Sequence, residues 1–280
     1  MKTLTRIALT TALIGTSLTA SAGNVLVVLS DSATLDLKGG KVFSTGFYLN
    51  ELLQPVKMLL DAGHHVTFAT PNGKVPTVDK TSIDKMYFNN DEALLETYKL
   101  LLDQLKLTVA QQSPVISLAK VEQIGYAHFD AVYIPGGHAP MQDLLHSRAL
   151  GRLLVDFHAQ GKTTALVCHG PIALLSTLPD AQDFTRRLQA AKPMRASTDW
   201  IYAGYKMTVI SNKEEEAAKS LLKGGEMKFY PQTALEKAGG SYSSNTANWT
   251  SHVIVDRELI TGQNPASATE VGEVLLDRLK

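Results

Sequence analysis

Short apolar runs alternate with longer amphipathic stretches along most of this chain. Asn24–Leu29 is an almost unbroken apolar run and predicts a buried first strand ending at Ser30 and Asp31. Over residues 46–62, Leu49, Leu52, Leu53, Val56 and Leu60 share one helical face, and Gly63 supplies the stop. His65–Ala69 reads as the next strand, closed by Pro71, Asn72 and Gly73. A second amphipathic helix is predicted over 91–106, then a strand over Asp130–Ile134 that breaks at Pro135, Gly136 and Gly137. Residues 141–160 read as one long helix with Leu144, Leu145, Leu150, Leu153, Leu154 and Phe157 inward. Thr163–Val167 is another strand, which passes through Cys168, His169, Gly170 and Pro171 into a helical pattern at Ile172–Leu175. A strand over Lys206–Ile210 and a helix over 213–222 follow. Val253–Val255 and Leu259–Thr261 form a hairpin, and a last helix starts near Pro265.

This alternation implies an α/β chain with a doubly wound, mostly parallel sheet and helices on both faces. Residues 72–128 are the least regular part and read as a small cap or insertion beside the sheet. Ligand sites in such sheets form at the carboxyl ends of strands, where Cys168, Pro135–Gly137 and Ser30–Asp31 all fall. The chain shows no internal repeat, low-complexity tract or linker, so residues 23–280 read as a single domain.

Residues 1–22 change the picture, because they read as a secretory signal peptide. Lys2 and Arg6 make a basic start, Ile7–Leu18 an apolar stretch, and Ala20, Ser21 and Ala22 a cleavage site before Gly23. The stretch is too short to span a membrane. The expected mature protein is exported, periplasmic in a Gram-negative cell. Lys+Arg and Asp+Glu number 27 each, which gives no electrostatic reason to expect nucleic acid or an anionic membrane as a partner. Cys168 is the only cysteine and cannot form an internal disulfide. A lone thiol is unusual in an exported protein.

A cysteine on a tight strand-to-helix bend sits over unpaired amides and the positive helix end, which predicts a thiolate nucleophile. His169 can carry a proton and its N–H can bind an oxyanion. Gly136 and Gly137 allow a second backbone N–H to approach the sulfur. Glu51 sits mid-helix beside the apolar face, where a glutamate is normally solvated, and Glu214, Glu215 and Glu216 complement a helix start; spacing alone brings none of them to Cys168. There is no Gly-x-Ser-x-Gly elbow, no Gly-x-Gly-x-x-Gly after the first strand and no Walker loop. His64 and His65 lack a second cluster at metal spacing and read as structural.

Ala165–Leu174 with Ile134–His138 upstream resembles the ThiJ/PfpI superfamily, which shares the class I glutamine amidotransferase-like, flavodoxin-type fold. Thr45–Leu52 resembles the motif that presents the family's glutamate. Asp79–Asp84 with Tyr87, Phe88 and Asp91, and Thr261–Ser267, resemble signatures of the glyoxalase III and heat-shock holding-chaperone branch. The resemblance implies Cys168 as nucleophile, His169 as adjacent catalytic histidine and Glu51 as proton carrier. It implies Glu215, with Glu214 as the alternative, as the acid orienting His169, and Gly137 with the His169 amide as oxyanion donors. Glutaminase relatives use a late His-x-Glu pair; here His252 is followed by Val253 and Ile254, which argues against glutamine hydrolysis. The implied activity is a glutathione-independent glyoxalase acting on a small dicarbonyl, methylglyoxal, to give D-lactate with no cofactor and no metal. A cysteine hydrolase (peptidase or deglycase) and a non-enzymatic holding chaperone or redox sensor are the alternatives. A homodimer is implied as well. The export signal departs from a branch that is mostly cytosolic.

Overall fold

The computed structural model describes residues 22–193, 196 and 199–280. Apart from Ala22, the expected signal peptide lies outside the described residues. The chain begins with strand β1 (Asn24–Val28), the ribbon strands β2 (Thr34–Asp36) and β3 (Val42–Ser44), helix α1 (Leu49–Asp61) and strand β4 (His65–Thr70). Helix α2 (Glu92–Leu105), strand β5 (Ile116–Ser117) and helix α3 (Leu118–Ile124) follow. Next are β6 (Ala131–Ile134), α4 (Arg148–Ala159), β7 (Thr163–Val167) and α5 (Ala181–Gln189). The C-terminal third contains β8 (Lys206–Met207), α6 (Asn212–Ala218), α7 (Pro231–Ala238), β9 (Ser241–Tyr242), β10 (Val253–Asp256), β11 (Leu259–Gly262) and α8 (Ala268–Arg278).

One seven-stranded sheet runs in the order β10-β11-β7-β6-β1-β4-β5. Its pairs are parallel except for β10 on β11, the hairpin at the edge. The fold is flavodoxin-like, with helices packed around the sheet. Val25–Val28, Ala131–Ile134 and Thr163–Val167 are buried throughout, as central parallel strands covered on both sides must be. Helix α1 buries Leu49, Leu52, Leu53, Val56 and Leu59 and packs along α8. Gly272 of α8 lets the two approach: a Cβ there would come within 3.1 Å of the Pro55 backbone. Leu60, expected on the inner face of α1, is exposed.

Several expected elements differ. The helix of 141–160 is shorter, because α4 begins only at Arg148. The preceding residues make two 3-10 turns, and Ser147 caps α4 by accepting the Leu150 N–H (3.3 Å). After the cysteine the chain forms a 3-10 stretch, Gly170–Thr177, rather than an α-helix. The strand of 206–210 is only Lys206–Met207, paired with β9 outside the main sheet. Its remaining backbone bonds elsewhere: Thr208 N–H donates to Thr261 Oγ1 (2.9 Å) and Ile210 N–H to the Cys168 carbonyl (3.1 Å). Residues 72–128 are more than a cap, since β5 adds the outermost strand beside β4. No helix among the described residues is long and apolar enough to cross a membrane.

Candidate active site

Cys168 follows β7 directly and takes φ +59, in the left-handed region that costs a residue other than glycine about 1–3 kcal/mol. Hydrogen bonds hold it there. Its N–H donates to the Gly262 carbonyl at the end of β11 (2.9 Å), and its carbonyl accepts from Ile210. The thiol is buried.

His169 Nδ1 lies 3.3 Å from Cys168 Sγ, and His169 Nε2 lies 2.8 Å from Glu215 Oε1. Sulfur, imidazole and carboxylate thus form a continuous, buried line. Glu215 sits in the first turn of α6. Its neighbour Glu214, about 100° further round the helix, closes a capping box with Ser211. Glu215 reaches His169 and Glu214 does not. Glu214 is fully buried and accepts from Ser211, from the Trp249 N–H and from the side-chain amides of Gln263 and Asn264. That network ties α6 to the C-terminal segment.

Glu51 lies in the first turn of α1, fully buried, and its Oε2 accepts the Gly136 N–H (2.8 Å). Gly136 is wedged into the site: a Cβ there would lie 2.6 Å from Glu51 Oε2 and 2.8 Å from Cys168 Cβ. Gly137 takes φ +80 against the Gly46 carbonyl, 2.0 Å from where its Cβ would be. Pro55 has no N–H, so the Glu51 carbonyl four residues back loses its helical donor. The buried Tyr133 hydroxyl donates to that carbonyl instead. The strand β6 and its end therefore hold Glu51 at both carbonyl and carboxylate.

Burial raises the Glu51 pKa to about 7, against the opposing pull of the Cys168 contact, of His169 and of the Gly136 N–H. Burial and the carboxylate of Glu51, with Glu215 and Glu214 behind it, push the Cys168 thiol well above its usual range. Both effects act against the thiolate that the bend was expected to favour. A short 3-10 stretch supplies little helix-end potential, whereas desolvation and a facing carboxylate act on the sulfur itself. A thiolate forms here when Glu51 or His169 takes the proton. Burial also works against the Glu215 carboxylate, but His169 outweighs it and holds its pKa below the usual value. The His138 ring lies 4.3 Å from that of His169, tilted by 43°, and burial with His169 lowers its pKa to about 4. His138 Nδ1 is buried with no hydrogen-bond partner among the described residues.

His138, His169 and Glu215 each offer one donor atom, all within 4.8 Å of one another. A cation bound by all three would compete with the His169–Glu215 hydrogen bond. A cavity of about 500 Å³ reaches Cys168, His169 and Glu215, with Tyr48, Asn50 and Tyr87 in its wall. Sequence reasoning missed the roles of Tyr133, Pro55 and His138, whose ring lies against that of His169. The signals were a proline inside an apolar-periodic helix and a histidine directly after two glycines.

A family model described as ThiJ/PfpI family-like matches residues 43–226, a span that includes Glu51, Gly137, Cys168, His169 and Glu215. Among curated proteins, the protein/nucleic acid deglycase HchA of Staphylococcus aureus (strain MSSA476) is similar. It is 26% identical over 257 residues, which cover 91% of this chain and 79% of that protein. The structure of glyoxalase III from Candida albicans matches with TM-score 0.69 and 21% identity, over 92% of this chain and 98% of that one. The Rapid Encystment Protein 24 kDa of Francisella tularensis matches with TM-score 0.65 and 22% identity, over 92% and 99%. At these identities the two structures speak for the fold.

Proposed function

Because the chain belongs to the ThiJ/PfpI family, we propose that it is a glutathione-independent glyoxalase, converting methylglyoxal and water to D-lactate. One observation carries this reading: a single buried thiol has two separate proton carriers, Glu51 and the His169–Glu215 pair. Acyl hydrolysis is served by one base. Moving hydrogen between adjacent carbons needs a group that takes a proton from one and returns it to the other. A carboxyl with a pKa of about 7 does both near neutrality.

In this mechanism His169 takes the Cys168 proton as the sulfur adds to the aldehyde carbon, and the new oxyanion is protonated to a hemithioacetal. Glu51, ionised, removes the hydrogen from that carbon and returns it to the neighbouring carbon, while the hemithioacetal hydroxyl proton passes to the former ketone oxygen, so that the enediol becomes the lactyl thioester. Water attacks the thioester, lactate leaves, and Cys168 regains its proton. With the Gly136 N–H committed to Glu51, the Gly137 and His169 amides are the donors assigned to the oxyanion. Every step is served by side chains of this chain.

The name of the S. aureus relative favours a second reading, deglycation, with the same thiol acting on a glycated group. The assay is glutathione-free loss of methylglyoxal with appearance of D-lactate, in wild type and in Cys168→Ala. Turnover in the wild type and none in the variant is expected. No D-lactate from wild type, with release of lactate from a methylglyoxal-treated peptide, would favour the deglycase. Export and a homodimer belong to the proposal, supported by the composition of residues 1–22 and by the family resemblance. N-terminal sequencing that begins at Gly23, and light scattering at twice the chain mass, are the expected results.

A further inference from the structure

The cavity at Cys168, of about 500 Å³, is several times larger than a three-carbon dicarbonyl needs. Its inner end is polar, with Cys168, His138, His169 and Glu215. Its outer part mixes exposed polar residues, Asn89 and Ser220, with large apolar ones. Trp249, Leu221 and Met86 all line it, and they are 44%, 39% and 62% exposed. They come from three distant segments: the loop before β10, the turn after α6 and the stretch before α2. Large apolar side chains from these separate segments thus line one cavity that leads to a reactive thiol.

Trp249 is fixed rather than draped. Its φ is +63, a region that a bulky residue enters only when its surroundings dictate it. The Trp249 N–H donates to Glu214 Oε1 (2.8 Å), and Glu214 Oε1 also accepts from the Asn264 side chain (2.8 Å). The carboxylate that anchors the Trp249 backbone is the helix neighbour of Glu215, which bonds His169. Reactive end and cavity mouth thus share one rigid support.

We propose that Trp249, Leu221 and Met86 form an apolar subsite for the substituent of a 2-oxoaldehyde, and that an aryl-substituted substrate is preferred over methylglyoxal. This rests on the glyoxalase reading and names its substrate class. The dicarbonyl lies at Cys168 with its aryl group outward against the indole. Burial of both apolar faces, and their stacking, lowers KM while the chemical steps stay the same.

The test compares phenylglyoxal with methylglyoxal in wild type, Trp249→Ala and Trp249→Gly. The expected wild-type preference in kcat/KM is about tenfold or more for phenylglyoxal. Both substitutions should erase most of it, through KM rather than kcat. Glycine tolerates the positive φ, so Trp249→Gly should keep the wild-type melting temperature and separate subsite loss from misfolding. A wild-type preference for methylglyoxal, or an unchanged preference in both variants, overturns the subsite. A second readout needs no turnover. Mandelate, the hydroxy acid expected from phenylglyoxal, should quench tryptophan fluorescence of Cys168→Ala at lower concentration than lactate does, and Trp249→Gly should remove that difference. Quenching without turnover of either aldehyde supports the subsite and rejects the glyoxalase reading. Turnover without a mandelate preference rejects the subsite alone.

Discussion

Glu51 and Cys168 share one buried environment, and their protons belong to the pair rather than to either group. The form with one proton on the pair leaves Glu51 ionised to take the carbon-bound hydrogen, while His169 receives the thiol proton; the form with two leaves no base for that hydrogen. With Glu51 near 7 and the thiol well above its usual range, kcat/KM should rise with pH through about 7 and hold beyond it. A profile flat from mildly acid to mildly alkaline pH would contradict this. The same shift has a cost in stability. The folded Glu51 pKa, about 7, lies above its usual 4.5, so the folded state binds the proton more tightly. Its contribution is fully present below 4.5 and is lost as pH rises towards 7. Glu51→Gln should therefore melt at a higher temperature than wild type in alkaline buffer, and at nearly the same temperature in acid. Its turnover should fall by about 10²–10⁴-fold, the range expected for loss of a general acid–base group. The sequence placed Glu51 beside the apolar face of a helix, but burial, which decides its chemistry, is a property of the packed site.

At the scale of elements, the first turn of α1 is held by what Pro55 removes. The freed Glu51 carbonyl takes its donor from Tyr133 across the sheet–helix boundary. Tyr133→Phe leaves a buried carbonyl unpaired and should cost about 1–3 kcal/mol in denaturant unfolding, with lower turnover. Adding Pro55→Ala restores a helical donor, and the double variant should regain part of that loss. No recovery would show that Tyr133 acts by packing alone. Helices α1 and α2 were legible because 3.6-residue periodicity survives in a surface helix. The 3-10 stretch after Cys168 was not, since a run that is apolar on nearly every side gives no period, and the turns before α4 were read as helix because Leu144 and Leu145 continue its apolar face. The truncated β8 was hidden for a different reason: β-rich residues at 208–210 bond to Thr261 and to the elbow instead of to a strand.

Across the whole molecule, the site joins segments far apart in sequence. Cys168 stands after β7, Gly136 after β6, Glu51 on α1 and Glu215 on α6, and the segment after β11 closes the ring through Glu214. Asn264→Asp sets a second carboxylate against the buried Glu214 and should destabilise the protein by about 3–5 kcal/mol in thermal or chemical unfolding. Turnover should fall with it, because α6 carries Glu215. A neutral result would mean that the C-terminal segment does not support the site. The sequence by itself determined most of the succession of strands and helices along the chain, the mostly parallel α/β class and the cysteine elbow, because periodicity, punctuation and bend chemistry are local. Family resemblance added Glu51 and Glu215 as candidates. Only the tertiary structure decided that Glu215 rather than Glu214 meets His169, that burial and the Glu51 carboxylate push the thiol pKa up, and that Trp249 stands at the mouth. Those outcomes depend on burial and on distances between remote segments, and no spacing along the chain encodes either one.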